Sequence, residues 1–88
     1  MRLVFSDLAW EQYGHWIEAD PKVFARLNDL IRECRRAPFT GKGKPEPLKG
    51  DLAGWWSRRL TQEDRLVYRV SGKAPDQQIE IAQCRFHY

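Results

Sequence analysis

The chain lacks an apolar run long enough to span a bilayer and lacks a signal-peptide pattern, so the sequence predicts a cytoplasmic protein with no membrane partner. It is also poor in cysteine. Cys34 and Cys84 lie fifty positions apart and outside any CxxC spacing. That excludes a disulfide framework and predicts two buried free thiols. There is no internal repeat, low-complexity tract or linker. Because 88 residues cannot support two separate cores, one domain over residues 1–88 is expected. Large side chains are not scarce: four Trp, three Tyr and four Phe suffice to close one modest core without staples, which argues against disorder.

Charge is unevenly spread. Residues 1–33 carry four basic and six acidic side chains, whereas residues 34–88 carry eleven basic and six acidic. The cationic half is the expected face for a polyanion, since phosphate contacts dominate non-specific nucleic-acid affinity.

Local signals divide the chain into elements. Residues 1–5 read as a strand ending at Ser6, an N-cap followed by an acid at the helix start. Ala9, Trp10, Tyr13, Trp16 and Ile17 recur at helical spacing and predict a helix from Asp7 to about Ala19 with a buried aromatic stripe. His15 falls off that stripe and reads as exposed and idle. Asp20-Pro21 restarts a second helix to about Arg36, its core side formed by Val23, Leu27, Leu30, Ile31 and Cys34. So short a break predicts an antiparallel hairpin. Three later runs, 54–60, 65–71 and 77–88, are rich in β-branched or aromatic residues and predict an antiparallel meander. The expected class is therefore α+β, with a short N-terminal strand and a helical hairpin packed on an antiparallel sheet. Alternation along the runs sends Arg59 and Arg65 to the face away from the helices, and extends the last strand so that His87 shares that face while Phe86 is anchored in the core.

Between helices and meander lies GKGKPEPLKGDLAGWW, with Lys42, Lys44 and Lys49 around Glu46. Pro45 and Pro47 bracket Glu46, which predicts a stiff, extended loop entering the sheet beside the arginines. Such a face offers what metal-independent RNA cleavage by the 2′-OH needs. Glu46 is the candidate base, Arg65 with Arg59 and Lys49 the candidate clamp on phosphate oxygens, and His87 the candidate acid. Lys44 and Arg85 are further substrate-binding cations. No metal and no cofactor is expected, since Cys34, Cys84, His15 and His87 are assigned to different faces. The alternative is a non-catalytic RNA- or ribosome-binding module indifferent to Glu46 and His87.

KGKPEPLK, SRRLT, RLVY and the closing CRFHY, taken together, resemble the Txe/YoeB toxins of type II toxin–antitoxin systems, which are RelE-like ribosome-dependent mRNA endonucleases. The resemblance runs over essentially the whole chain. It implies a RelE-like fold and functional positions at Glu46, Lys49, Arg59, Arg65, His87 and Tyr88. It also implies mRNA cleavage in the ribosomal A site against 16S rRNA, giving a 2′,3′-cyclic or 3′-phosphate and a 5′-hydroxyl. A YefM-like antitoxin that joins the toxin on operator DNA is implied as partner, and a dimer of toxins is allowed. Phe86 replaces a Tyr common in the family's ending, and the turn over 72–78 is longer than usual.

Overall fold

Ser6 separates strand β1 (Arg2–Phe5) from helix α1 (Asp7–Ala19), and its hydroxyl accepts the Ala9 N–H at 3.0 Å. The computed structural model describes residues 1–87. Asp20 caps α2 (Pro21–Arg36) in the same manner, its carboxylate accepting from Lys22 at 3.1 Å and Val23 at 3.3 Å. With only Asp20 between them, the two helices fold back on each other, and the Tyr13 hydroxyl donates to Asn28 at 2.7 Å across the seam.

Four further strands follow: β2 (Glu46–Pro47), β3 (Trp56–Arg59), β4 (Arg65–Ser71) and β5 (Gln78–Gln83). The sheet order is β1-β5-β4-β3-β2. The last four strands are antiparallel to their neighbours, while β1 adds parallel to β5. The hairpin-on-sheet α+β architecture is the expected one, made mixed by that pairing. β1 can lie parallel to β5 because the helices carry the chain back across the sheet before the other strands begin.

The helices cover one sheet face. Ala9 and Trp16 from α1, and Leu27, Leu30, Ile31 and Cys34 from α2, pack on Leu60, Leu66, Tyr68, Ile79, Ile81 and Cys84. Both cysteines are free and buried, as predicted. Burial pushes the Cys34 thiol up to about 11 and the Cys84 thiol up to about 12, and raises the Tyr68 phenol further. Folded thiols that stay protonated while unfolded ones ionise near pH 8.5 make the unfolded state the poorer proton binder above that pH. Stability contributed by the two thiols is thus complete below about pH 8.5 and is lost progressively up to about pH 11 to 12. Folded protein is expected to resist iodoacetamide at pH 8, and urea midpoints are expected to fall between pH 9 and 11. A Cys34→Ser/Cys84→Ser variant should flatten that fall.

Three expectations are corrected. The α1 stripe is narrower than predicted: Trp10 is 61% exposed and Ile17 52% exposed, while Gln12 is buried. Gln12 accepts the Cys84 N–H at 2.8 Å, and a buried amide with a backbone partner displaces the apolar side chains to the rim. Next, β5 stops at Gln83, not at the chain's closing residues, because α1 takes over the backbone there: the Trp16 indole N–H donates to the Cys84 carbonyl at 2.9 Å. Phe86 is consequently 56% exposed with φ +66°, not a core anchor, and strand alternation cannot assign His87 a face. Finally, Lys44 is left-handed, φ +51°, where an extended residue was expected before Pro45.

Candidate active site

β2 is only two residues long, yet it decides where Glu46 stands. Glu46 pairs with Ser57, Ser57 with Val67 and Val67 with Gln83, so the four form one row across the sheet. Paired residues share a face. Leu66 and Tyr68 point into the core, so this row lies on the face away from the helices. One step along, Arg59 pairs with Arg65 on that same face. Two strand spacings of about 4.8 Å and two rises of about 3.4 Å separate Glu46 from Arg65, placing their Cα atoms roughly 12 Å apart. Side chains of that length can converge on one phosphodiester. Glu46 and Arg59 are exposed at the edges of this face, while Ser57 and Val67 between them are buried.

Position on the face depends on a residue to which the sequence pattern assigned no role. Arg58 faces the helices and is fully buried. Its Nη2 donates to the carbonyls of Ala37 at 2.6 Å and Thr40 at 2.9 Å, its Nη1 to Lys42 at 2.7 Å, and its Nε to the Tyr68 hydroxyl at 3.1 Å. Tyr68 in turn donates to Pro38 at 2.6 Å. One guanidinium thus solvates itself on loop carbonyls and pulls 37–42 against the sheet. Gly43 follows with φ +83°, and its carbonyl accepts the Arg59 N–H at 2.7 Å. A Cβ there would crowd Leu30 Cδ2 at 3.0 Å and Arg58 Cβ at 3.1 Å, and at this positive φ any other residue is strained, so the position favours glycine. The left-handed Lys44 is the step that releases the chain from this clamp into β2. The stiffness predicted from the two prolines therefore rests equally on Arg58.

Arg65 is fixed from behind. Its Nη1 donates to the carbonyls of Thr61 at 2.9 Å, Gln62 at 3.3 Å and Asp64 at 3.0 Å. Its own N–H donates to Phe86 O at 3.0 Å, so the segment carrying Arg85 and His87 lies beside it. Arg85 stacks its guanidinium on the Phe86 ring at 4.4 Å, and His87 is exposed. Lys49, exposed, precedes a single 3₁₀ turn (Gly50–Leu52), and Lys44 is exposed at the start of the loop strand. Arg69, on the face of Arg65, is committed elsewhere: it donates to Glu80 at 2.6 Å and lies over the Trp55 ring at 4.5 Å. Tyr88 lies outside the described residues. Among the described residues, no three His, Cys, Asp or Glu side chains gather as metal ligands.

The structure thus brings Glu46, Arg59 and Arg65 together in sheet register and hangs the Arg85–His87 segment on Arg65. A sequence signal for Arg58 existed in its parity with Trp56 and Leu60, since a core-facing arginine must find acceptors. Which acceptors it would find was not readable from spacing.

The model of the YoeB-like toxin of bacterial type II toxin–antitoxin systems matches residues 5–88. Toxin YoeB of Escherichia coli K12 is 50% identical over 88 residues, covering 100% of both chains. Among solved structures, a YoeB/ParE toxin from Agrobacterium tumefaciens superposes with TM-score 0.95 at 55% identity over 100% of each chain. A YoeB dimer from Staphylococcus aureus superposes with TM-score 0.88, and a heterotetrameric YoeB–YefM toxin–antitoxin complex from that organism with 0.87. Both are 39% identical and cover 100% of this chain and 98% of theirs.

Proposed function

The chain belongs to the YoeB-like toxins of bacterial type II toxin–antitoxin systems, and on that premise we propose that it is an endoribonuclease that cuts mRNA in the ribosomal A site and so stops translation. The observation that carries this reading is the register: Glu46 on the same sheet face as the Arg59–Arg65 pair. Glu46 removes the proton as the ribose 2′-oxygen attacks the adjacent phosphorus. Arg65, Arg59 and Lys49 hold the charge that builds on the non-bridging oxygens, with Lys44 and Arg85 on flanking phosphates. His87 protonates the departing 5′-oxygen, leaving a 2′,3′-cyclic phosphate and a 5′-hydroxyl. Tyr88 joins His87 on the strength of the resemblance alone. The chemistry needs no metal and no cofactor.

The ribosome enters for a physical reason. Glu46, Lys49 and Arg59 are exposed, so these side chains neither exclude water nor orient a floppy strand unaided. The A site, with 16S rRNA, supplies covering and alignment. Inducing the protein in cells and mapping new mRNA 5′ ends tests this. Codon-phased 5′-hydroxyl ends are expected with the native sequence and not with Glu46→Ala. Unphased ends, or identical ends from both, would overturn it.

The protein acts in the cytoplasm as one toxin domain, held in check by a YefM-like antitoxin and reaching operator DNA only in that complex. A second copy is the further partner. Trp10, 61% exposed, stacks on Tyr13 at 5.6 Å and against Phe5 of the edge strand β1 at 5.4 Å, and Ile17, two turns further along the same side of α1, is 52% exposed. An exposed aromatic cluster beside an open strand edge suits self-association. Trp10→Ala is expected to weaken a homodimer by at least about thirtyfold, the scale of an aromatic hot spot. Sedimentation equilibrium reads this; unchanged association would place the dimer contact elsewhere.

A further inference from the structure

Asp64 lies in the turn between β3 and β4, outside the trio of base, clamp and acid. Its Oδ1 accepts the Phe86 N–H at 2.6 Å, across 22 residues of sequence. Its Oδ2 accepts the Thr61 hydroxyl at 2.7 Å, and that hydroxyl in turn accepts the N–H groups of Glu63 at 3.1 Å and Asp64 at 2.9 Å. The carboxylate is therefore fixed by the turn on one oxygen and holds the segment after β5 with the other. Arg65 N–H to Phe86 O, 3.0 Å, closes a two-bond ring around the same residue. Two residues earlier, Gln12 and Trp16 hold both backbone groups of Cys84. Residues 84–86 are thus held at each end, at one by α1 and at the other by Asp64. Phe86 has a left-handed φ of +66°, a conformation a non-glycine residue keeps only where its surroundings hold it.

We propose that Asp64 is a positioning residue that sets the place of His87 by capturing the Phe86 backbone, and thereby ties the candidate acid to the candidate phosphate clamp Arg65. The proposal rests on the role given above to His87. The hydrogen bonds of the Asp64 carboxylate run to the Thr61 hydroxyl and the Phe86 backbone and not to apolar core side chains. A charged acceptor is well matched to this role, since such hydrogen bonds are stronger than neutral ones and one carboxylate serves two donors without rearrangement.

The test is a cycle of Asp64→Ala, His87→Ala and the double variant, read by single-turnover cleavage on programmed ribosomes, with Asp64→Asn as the conservative variant. Asp64→Ala is expected to lower the cleavage rate about 10- to 100-fold, as for a misplaced catalytic group. In the His87→Ala background the same change is expected to cost less than about twofold, since residues that act as a unit are non-additive. Asp64→Asn keeps an acceptor for Phe86 N–H but sets an amide N–H₂ against the Thr61 hydroxyl, whose oxygen already accepts two N–H groups, so its rate is expected to fall between those of Asp64→Ala and the native protein. Amide exchange gives a readout that does not depend on cleavage: Asp64→Ala is expected to speed exchange at Phe86 at least tenfold and leave Leu66 and Ile81 unchanged. Unaltered exchange at Phe86, or an equal loss with and without His87, overturns the proposal. Exchange that quickens equally at Leu66 and Ile81 would assign Asp64 to fold stability and equally overturn it. If His87→Ala itself cleaves like the native protein, the role given to His87 falls, while the exchange measurement still decides whether Asp64 holds the segment.

Discussion

Arg65→Ala and Glu46→Ala are each expected to lower single-turnover cleavage on ribosomes by on the order of 10² to 10³, the roughly 3 to 4 kcal/mol that one transition-state contact contributes. Both variants should fold. Glu46 is exposed on a two-residue edge strand, and the Arg65 guanidinium donates its hydrogen bonds to backbone carbonyls of its own turn. The two losses should differ in character. Removing Arg65 takes charge from the phosphate in ground and transition state, so binding to ribosomes with uncut mRNA should weaken along with the rate. Removing Glu46 takes away the proton acceptor and leaves binding near native, because the carboxylate meets the 2′-OH only as it reacts. Cleavage within about threefold of native for either variant removes that residue from the mechanism; far-ultraviolet circular dichroism serves as the fold control.

Arg58→Met is expected to unfold the protein or bring it to the edge of unfolding. A methionine fills much of the space but strands the carbonyls of Ala37, Thr40 and Lys42 and leaves Tyr68 without its donor. Each buried acceptor left unmade costs about 1 to 3 kcal/mol, against a total stability of about 5 to 15 kcal/mol for a domain. Lysine is not a remedy, since a point charge cannot span a fork of three carbonyls. Chemical denaturation of Arg58→Met and Arg59→Met, side by side, is the measurement. The neighbour is exposed and should lose less than about 1 kcal/mol of stability. If the two lose equal amounts, the loop is not held by Arg58.

The parts of this molecule that were legible in its sequence are those built on local signals. Ser6 and Asp20-Pro21 mark both helix starts because capping is decided within four residues, and β4 runs over its predicted span because Leu66, Tyr68 and Val70 alternate cleanly. The same alternation brought Arg59 and Arg65 to one face. What was not legible depends on polar side chains reaching backbone far along the chain. Gln12 meets Cys84 across 72 residues, Arg58 meets Ala37 across 21, and Asp64 meets Phe86 across 22. Periodicity carries no trace of such bonds. They account for the misreadings as well: Gln12 takes a core position that Trp10 and Ile17 were given, and with Trp16 it holds the Cys84 backbone and ends β5 before alternation could reach His87. Pairing of β1 with β5 was missed for a related reason, since a strand of four residues says nothing of which edge it will join.

This sheet face is expected to cut RNA only where the ribosome presents it. The most direct measurement incubates the purified chain with one end-labelled mRNA, free or on programmed ribosomes, at physiological salt, and identifies the ends produced. Cleavage within the A-site codon on ribosomes, with a 2′,3′-cyclic phosphate and a 5′-hydroxyl, and a rate on free mRNA lower by at least about 10³, is the predicted result, since effective alignment is worth at least that factor. Equal cleavage of free and ribosome-bound mRNA, or a 5′-phosphate at the cut, would contradict it.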